Sequence, residues 1–142
     1  MTTDSNVRFS RLELALGSES LERLQAARVT VVGIGGVGGI AAEILTRTGI
    51  GNLVVIDIDT VQQTDINRQI FSLESTMGLT KIDAAKKRLL DINPDLNLQG
   101  HHAFFHVDTA EELLSPRPDF VVDAIDAVLP KVELLTYCFN NS

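Results

Sequence analysis

In Val29-Thr30-Val31-Val32-Gly33-Ile34-Gly35-Gly36-Val37-Gly38-Gly39 an apolar run passes straight into a glycine turn, which then opens an amphipathic segment. This is a phosphate-holding arrangement. Gly33 permits the tight turn, Gly35 with Gly36 brings backbone N–H groups close to a phosphate, Gly38 lets the helix pack on the strand, and the helix N-terminus adds positive potential. Asp57 closes the next apolar run, where a carboxylate accepts hydrogen bonds from ribose hydroxyls. With strand, turn, helix and acid all in place, a nucleotide site outweighs a plain close-packing role for the glycines. NAD and ATP are not separated by these residues.

Two further segments carry charge to the same end of the unit: Asp65-Ile66-Asn67-Arg68-Gln69 and Gly78-Leu79-Thr80-Lys81. An ATP-using site needs cations on the β- and γ-phosphates, and Arg68 and Lys81 are placed to supply them, whereas a dehydrogenase has less need of either. Singly, Arg68 reads as well as a surface ion pair and Lys81 as a solvated first-turn lysine. Together with the glycine turn they favour the phosphates. Asp126, in Asp123-Ala124-Ile125-Asp126, leaves the fourth strand beside the turn if the strand order is 3-2-1-4, and a carboxylate there can hold Mg²⁺ bridging phosphate oxygens. The competing reading of Asp126 is a helix cap for 127–139.

His101, His102 and His106 lie close in sequence, but alternation on a strand sends neighbours to opposite faces and no other ligand cluster accompanies them, so no metal is expected there. Cys138 sits in an apolar helical pattern without an evident activating base. Packing is its expected role.

The elements that must position these groups alternate. A leading helix is expected over 18–26, with Leu21 and Leu24 on one face; strand 28–33, helix 36–48 stopped at Gly49, and strand 52–57 form one right-handed βαβ nucleotide unit over 28–57. Thr80 caps a helix reaching Ile92, ended by Asn93-Pro94. A third strand follows near 96–103. Asp108-Thr109-Ala110-Glu111 reads as a capping box, Pro116 and Pro118 lead into a strand at 119–125, and 131–140 is the next helix. The fold expected is α/β: a Rossmann-like, doubly wound, mainly parallel sheet with helices on both faces. The alternation stops after a helix, so residues 1–142 are read as a fragment of a longer protein, truncated at its C-terminus.

Composition narrows the classes. The 142 residues are 44% hydrophobic and 22% charged, as in a globular domain with a substantial core. A net charge of −7 argues against a general nucleic-acid surface, so any RNA contact must be local or come from outside this chain. A single cysteine rules out an intrachain disulfide and suits a reducing cytoplasm. The N-terminus lacks a secretory pattern, and no apolar stretch has the length of a membrane span.

Taken in order, Gly33-Ile-Gly-Gly-Val-Gly38, Ile56-Asp57-Ile-Asp59, Asn67-Arg68-Gln69, Gly78-Leu-Thr-Lys81, Ile92-Asn-Pro94 and Asp123-Ala-Ile-Asp126 resemble the superfamily of ubiquitin-activating enzymes, whose bacterial members include MoeB, ThiF and HesA proteins. The match runs from about Arg8 to Cys138. Arg47-Thr-Gly-Ile-Gly51, Pro130-Lys131 and Tyr137-Cys138 look most like the tRNA threonylcarbamoyladenosine dehydratase branch. The resemblance implies transfer of AMP from ATP to a carboxylate, with release of pyrophosphate. In that branch the carboxylate is that of threonylcarbamoyladenosine in tRNA, and attack within the same group closes a ring.

Carried onto this chain, the resemblance implies that the glycine turn (Gly33, Gly35, Gly36, Gly38) and Asp57, Asn67, Arg68, Gln69 and Lys81 bind ATP. It further implies that Arg68 and Lys81 serve the phosphates catalytically, that Asp126 holds Mg²⁺, and that Arg11 reaches the phosphates of a partner subunit. That last role requires a homodimer. The tRNA would be held through parts outside this chain, and a carrier or sulfur-transfer protein is a further candidate partner. Two departures matter. The family usually has asparagine where this chain has Asp65, and an extra negative charge near a triphosphate weakens binding unless Mg²⁺ or Arg68 compensates. Family members also continue well past residue 142, so the resemblance implies that residues 1–142 are the N-terminal, ATP-binding part of an adenylating domain, and this fragment alone is expected to be inactive.

Other readings stay open: adenylation of the C-terminus of a ubiquitin-like or sulfur-carrier protein, a noncatalytic nucleotide-binding or dimerisation module, and, weakest, an NAD-dependent dehydrogenase, which lacks a hydride-transfer acid or base here.

Overall fold

The computed structural model describes residues 5–142. Three short helices, α1 (Ser5–Arg8), α2 (Ser10–Leu16) and α3 (Ser18–Ala26), precede β1 (Arg28–Val32), α4 (Gly36–Arg47) and β2 (Asn52–Asp57). Then come α5 (Lys81–Ile92), β3 (Asn97–His102), α6 (Ala110–Leu113), β4 (Phe120–Asp123) and α7 (Val128–Asn140). All four strands are parallel in the order β3-β2-β1-β4, with Val31 beside Val55 on one side and Val122 on the other. This is the expected 3-2-1-4 arrangement, and it puts the ends of β1, β2 and β4 around one crevice.

The apolar runs of β1 and β2 are nearly continuous because both sheet faces are covered. Alternation divides them: Val31, Leu53 and Val55 join Ala42 of α4 and Ile82, Ala85 and Leu89 of α5. Val32, Val54 and Ile56 join Ala110 and Leu113 of α6 and Leu134 of α7. The α4 sequence is glycine-rich and a poor helix former by itself, so packing must hold it. Part of that hold is ionic: Glu43, buried on α4, bonds the Arg88 guanidinium of α5 and, at 3.0 Å, Arg47 one turn along. These bonds, Arg88's foremost, hold the Glu43 carboxyl below its ordinary value. In contrast α5 is built from good helix formers, and Thr80 accepts the Asp83 N–H at 3.0 Å.

Several boundaries differ from the periodicity. β1 stops at Val32 because Gly33 turns to φ +87. β4 is only Phe120–Asp123, since Ala124 makes the last ladder bond, to Val32 O, before the chain leaves toward the crevice. The final helix begins at Val128, before Pro130, which is tolerated because first-turn N–H groups have no intrahelical acceptor. The expected Asp108–Glu111 capping box is not formed. His106 and Thr109 cap a 3₁₀ turn instead: His106 Nδ1 accepts the Asp108 N–H and Thr109 Oγ1 accepts the His106 N–H.

Candidate functional site

A cavity of about 550 Å³ opens at the C-terminal ends of β1, β2 and β4. Ligands bind there in open parallel sheets. Its floor is the glycine turn. A side chain at Gly33 would place its Cβ 2.7 Å from Ala124 O, and one at Gly38 would fall 1.7 Å from Gly33 O. Gly38 therefore lets α4 approach the strand ends, as its position in the motif predicts. Gly35 is the N-cap of α4 and supplies no capping side chain, so the first-turn N–H groups are left for whatever occupies the cavity.

Asp57 acts on this turn directly. Its Oδ2 accepts the Ile34 N–H at 2.9 Å and its Oδ1 accepts the Asp59 N–H at 2.8 Å, so one carboxylate fixes both the glycine turn and the loop leaving β2. Each oxygen retains a further lone pair for a hydroxyl donor. His102 steadies the same loop, with Nε2 2.7 Å from Ile58 O.

Lys81 is not the solvated lysine of the competing reading. Its side chain is 8% exposed, lines the cavity, and among the described residues pairs only with the largely exposed Asp59 carboxylate, at 3.5 Å. A buried ammonium carries three donors, and one long ion pair leaves it strongly receptive to an anion. Arg68 also lines the cavity. Its Nη1 donates to Thr64 O at 2.8 Å and to Asn67 Oδ1 at 3.1 Å, while Nη2 lies 3.7 Å from Asp65 Oδ1. The surface ion pair exists, but it aims the guanidinium instead of consuming it. Asn67 is brought to Arg68, not to the cavity wall. Gln69 is buried and does line the cavity, beside Gly35.

At the far wall Asp123 is occupied: Oδ2 accepts from Lys131 Nζ at 2.7 Å and Oδ1 from the Ile125 N–H at 3.1 Å. Asp126 is exposed, lines the cavity, and has no hydrogen bond or ion pair among the described residues. It does not cap α7, whose N-cap is Ala127. Arg11, exposed on α2, does not line this cavity.

Three features escaped the residue patterns. Asp59 became visible as the Lys81 partner only in space, and Phe104 stands half-exposed on the cavity wall while its neighbour Phe105 is buried in the core. The third is Asp65, expected to place its charge against a triphosphate. It is buried, does not line the cavity, and spends its oxygens on the Gln62 N–H at 3.0 Å and Gln69 Nε2 at 3.2 Å. Cys138 lies half-buried in the second core cluster, and burial pushes its thiol up, with the Asp123 charge adding to the shift. That fits packing, not nucleophilic chemistry.

The ThiF family model matches residues 9–142. The tRNA threonylcarbamoyladenosine dehydratase of Bacillus subtilis (strain 168) is 42% identical over 93% of this chain and 52% of that protein, and the one from Escherichia coli (strain K12) is 40% identical over 94% and 50%. A crystal structure of the E. coli dehydratase in complex with ATP superposes with a TM-score of 0.95 at 39% identity, covering 99% of this chain and 58% of the other. Adenylyltransferase and sulfurtransferase MOCS3 of Anopheles gambiae is 36% identical over 97% of this chain and 32% of its own length. The chain thus spans about half the length of the curated dehydratases it matches.

Proposed function

Because the chain belongs to the ThiF family, we propose that its cavity binds ATP and activates a carboxylate by adenylation, the carboxylate being that of threonylcarbamoyladenosine in tRNA. One observation carries this reading. The uncapped N-terminus of α4, the half-exposed Arg68 and the buried Lys81 converge on a single cavity of about 550 Å³. That volume is in the range of nucleotide pockets, and three cationic or partly positive groups lining one cavity suit a polyphosphate better than a nicotinamide. Similarity to the dehydratases, one of them seen in complex with ATP, supports the same assignment.

In this reading the first N–H groups of α4 and Gly35–Gly36 receive the phosphates, and the free lone pairs of Asp57 receive the ribose hydroxyls. Lys81 and Arg68 take the β- and γ-phosphates, with Asn67 orienting Arg68 and Gln69 donating beside the turn. A substrate carboxylate oxygen attacks the α-phosphorus, the bond to the bridging oxygen breaks, and the charge on the departing pyrophosphate is stabilised by Arg68 and Lys81. Attack within the same modified nucleoside then closes a ring and releases AMP. Asp126 is the residue that would hold Mg²⁺, whose chemistry there is to neutralise phosphate oxygens. Arg11, which does not line this cavity, would serve the phosphates of a neighbouring copy in a homodimer, and the reaction would take place in the cytoplasm. With a net charge of −7, most tRNA contacts would come from outside this chain.

The similarity to MOCS3 keeps a second substrate in view, the C-terminal carboxylate of a carrier protein. Two measurements separate these readings. Calorimetric titration is expected to show binding of ATP with Mg²⁺ and none of NAD; tight NAD binding without ATP overturns the site assignment. Pyrophosphate release from ATP by the full-length protein that contains this chain is then compared with threonylcarbamoyl-modified tRNA and with a ubiquitin-like or sulfur-carrier protein. Stimulation by the carrier alone transfers the assignment to the second reading.

A further inference from the structure

Asp65 departs from the asparagine that the family resemblance leads one to expect, and its surroundings give the carboxylate a definite task. It is 7% exposed and sits at the end of a 3₁₀ turn, Gln63–Asp65. Oδ2 accepts the Gln62 N–H at 3.0 Å, closing that turn. Oδ1 accepts from Gln69 Nε2 at 3.2 Å, and the Arg68 guanidinium stands 3.7 Å from the same oxygen. Gln69 is itself buried, and its Nε2 is the side-chain atom nearest to Gly35, 3.5 Å from where a Cβ there would stand.

Hydrogen-bond chemistry makes the orientation of Gln69 unambiguous. A carboxylate only accepts, so the Gln69 amide must turn its NH₂ toward Asp65, and the second hydrogen of that nitrogen is left for a ligand in the cavity that Gln69 lines beside Gly35. Asparagine at 65 reverses this. The Gln62 N–H only donates, so the asparagine oxygen is committed to it, and its NH₂ faces Gln69. Gln69 then satisfies that donor with its own oxygen, and an acceptor replaces a donor beside Gly35.

We propose that Asp65 is a positioning residue that holds the Gln69 nitrogen, rather than its oxygen, against the phosphate-binding turn and so sets the affinity of the site for a triphosphate. This rests on the assignment of the cavity to ATP. It makes a prediction opposite in sign to simple charge counting: D65N removes a negative charge yet weakens ATP binding, by roughly tenfold or more for one reversed hydrogen bond to a charged group.

The test is titration of the protein containing this chain with ATP and Mg²⁺, together with its D65N, Q69L and D65N/Q69L forms, each checked by thermal unfolding. D65N and Q69L are expected to weaken ATP, and D65N is expected to cost nothing further in the Q69L background. Binding by D65N equal to or tighter than wild type overturns the proposal, as do losses that add independently. A second measurement does not depend on ATP: the side-chain amide of Gln69 in the wild-type ¹⁵N spectrum is expected to be slowed in hydrogen exchange and shifted from free glutamine. A free-like, fast-exchanging Gln69 amide refutes the arrangement even if the variants do not fold. If that amide is held but wild type does not bind ATP, the ATP assignment fails and not the Asp65–Gln69 contact.

Discussion

Replacing Lys81 with methionine removes one ammonium from the cavity wall while keeping most of the side chain that α5 packs around it. Its partner Asp59 is 65% exposed, so losing the 3.5 Å pair leaves that carboxylate solvated and costs the fold little. Relief from burying the ammonium works in the other direction, and the net change in stability is expected to stay within about 1 kcal/mol. Binding is another matter. A charge-assisted hydrogen bond to a phosphate contributes about 1.5–3 kcal/mol. At 1.4 kcal/mol per tenfold, ATP should bind roughly 10- to 150-fold more weakly. If Lys81 serves the outer phosphates, AMP loses much less. Parallel calorimetric titrations with ATP and AMP, alongside denaturant melts, read out both quantities. Equal weakening of ATP and AMP, or unchanged ATP affinity in a folded K81M protein, would refute the placement of Lys81 on the β- and γ-phosphates.

Three other outcomes follow from the geometry. Gly38→Ala puts a Cβ 1.7 Å from the Gly33 carbonyl, so the turn and α4 must separate; a loss of about 2 kcal/mol or more in urea unfolding is expected, and a near-neutral change would contradict the close approach. Glu43 is held below its ordinary 4.5 by Arg88, so its contribution is present above that value and fades as pH falls through the lower folded-state value. Glu43→Gln should therefore lower stability at neutral pH by about 1–2 kcal/mol and narrow its deficit in acid, which denaturant melts at pH 7 and pH 3 compare. Asp126→Asn is expected to leave ATP affinity in chelator unchanged and to abolish its enhancement by Mg²⁺; a retained enhancement would move the metal elsewhere.

How legible the molecule was in its residues depended on the range of the interaction. The βαβ unit over 28–57 was readable because its signals are local: β-branched runs buried on both faces, a glycine where φ must be positive, and a carboxylate closing the second strand. The start of α7 lies three residues before the expected Lys131, because Pro130 falls in the first turn, where its missing N–H costs no intrahelical bond. The capping box at Asp108 was misread for a similar reason, since His106 competes for the same N–H. Arg68 and Lys81 were found as cations, but their different states, one half-exposed and aimed by acceptors, the other buried, depend on neighbours brought by other elements.

By itself the sequence determined an α/β unit with its phosphate turn and which charges lie near the strand ends, because these follow from spacing and backbone preference over a few residues, while its ordered motifs carried the family resemblance. Only the tertiary structure decided what each charge is for. Asp123 and Asp126 are alike in sequence, yet Lys131 and a backbone N–H occupy the first while the second lines the cavity with no partner among the described residues. Asp65 looked like a charge aimed at the ligand, and the fold turned it inward onto Gln62 and Gln69. A side chain's role depends on which donors reach it and how much water remains, and both are set by contacts between residues far apart in the chain.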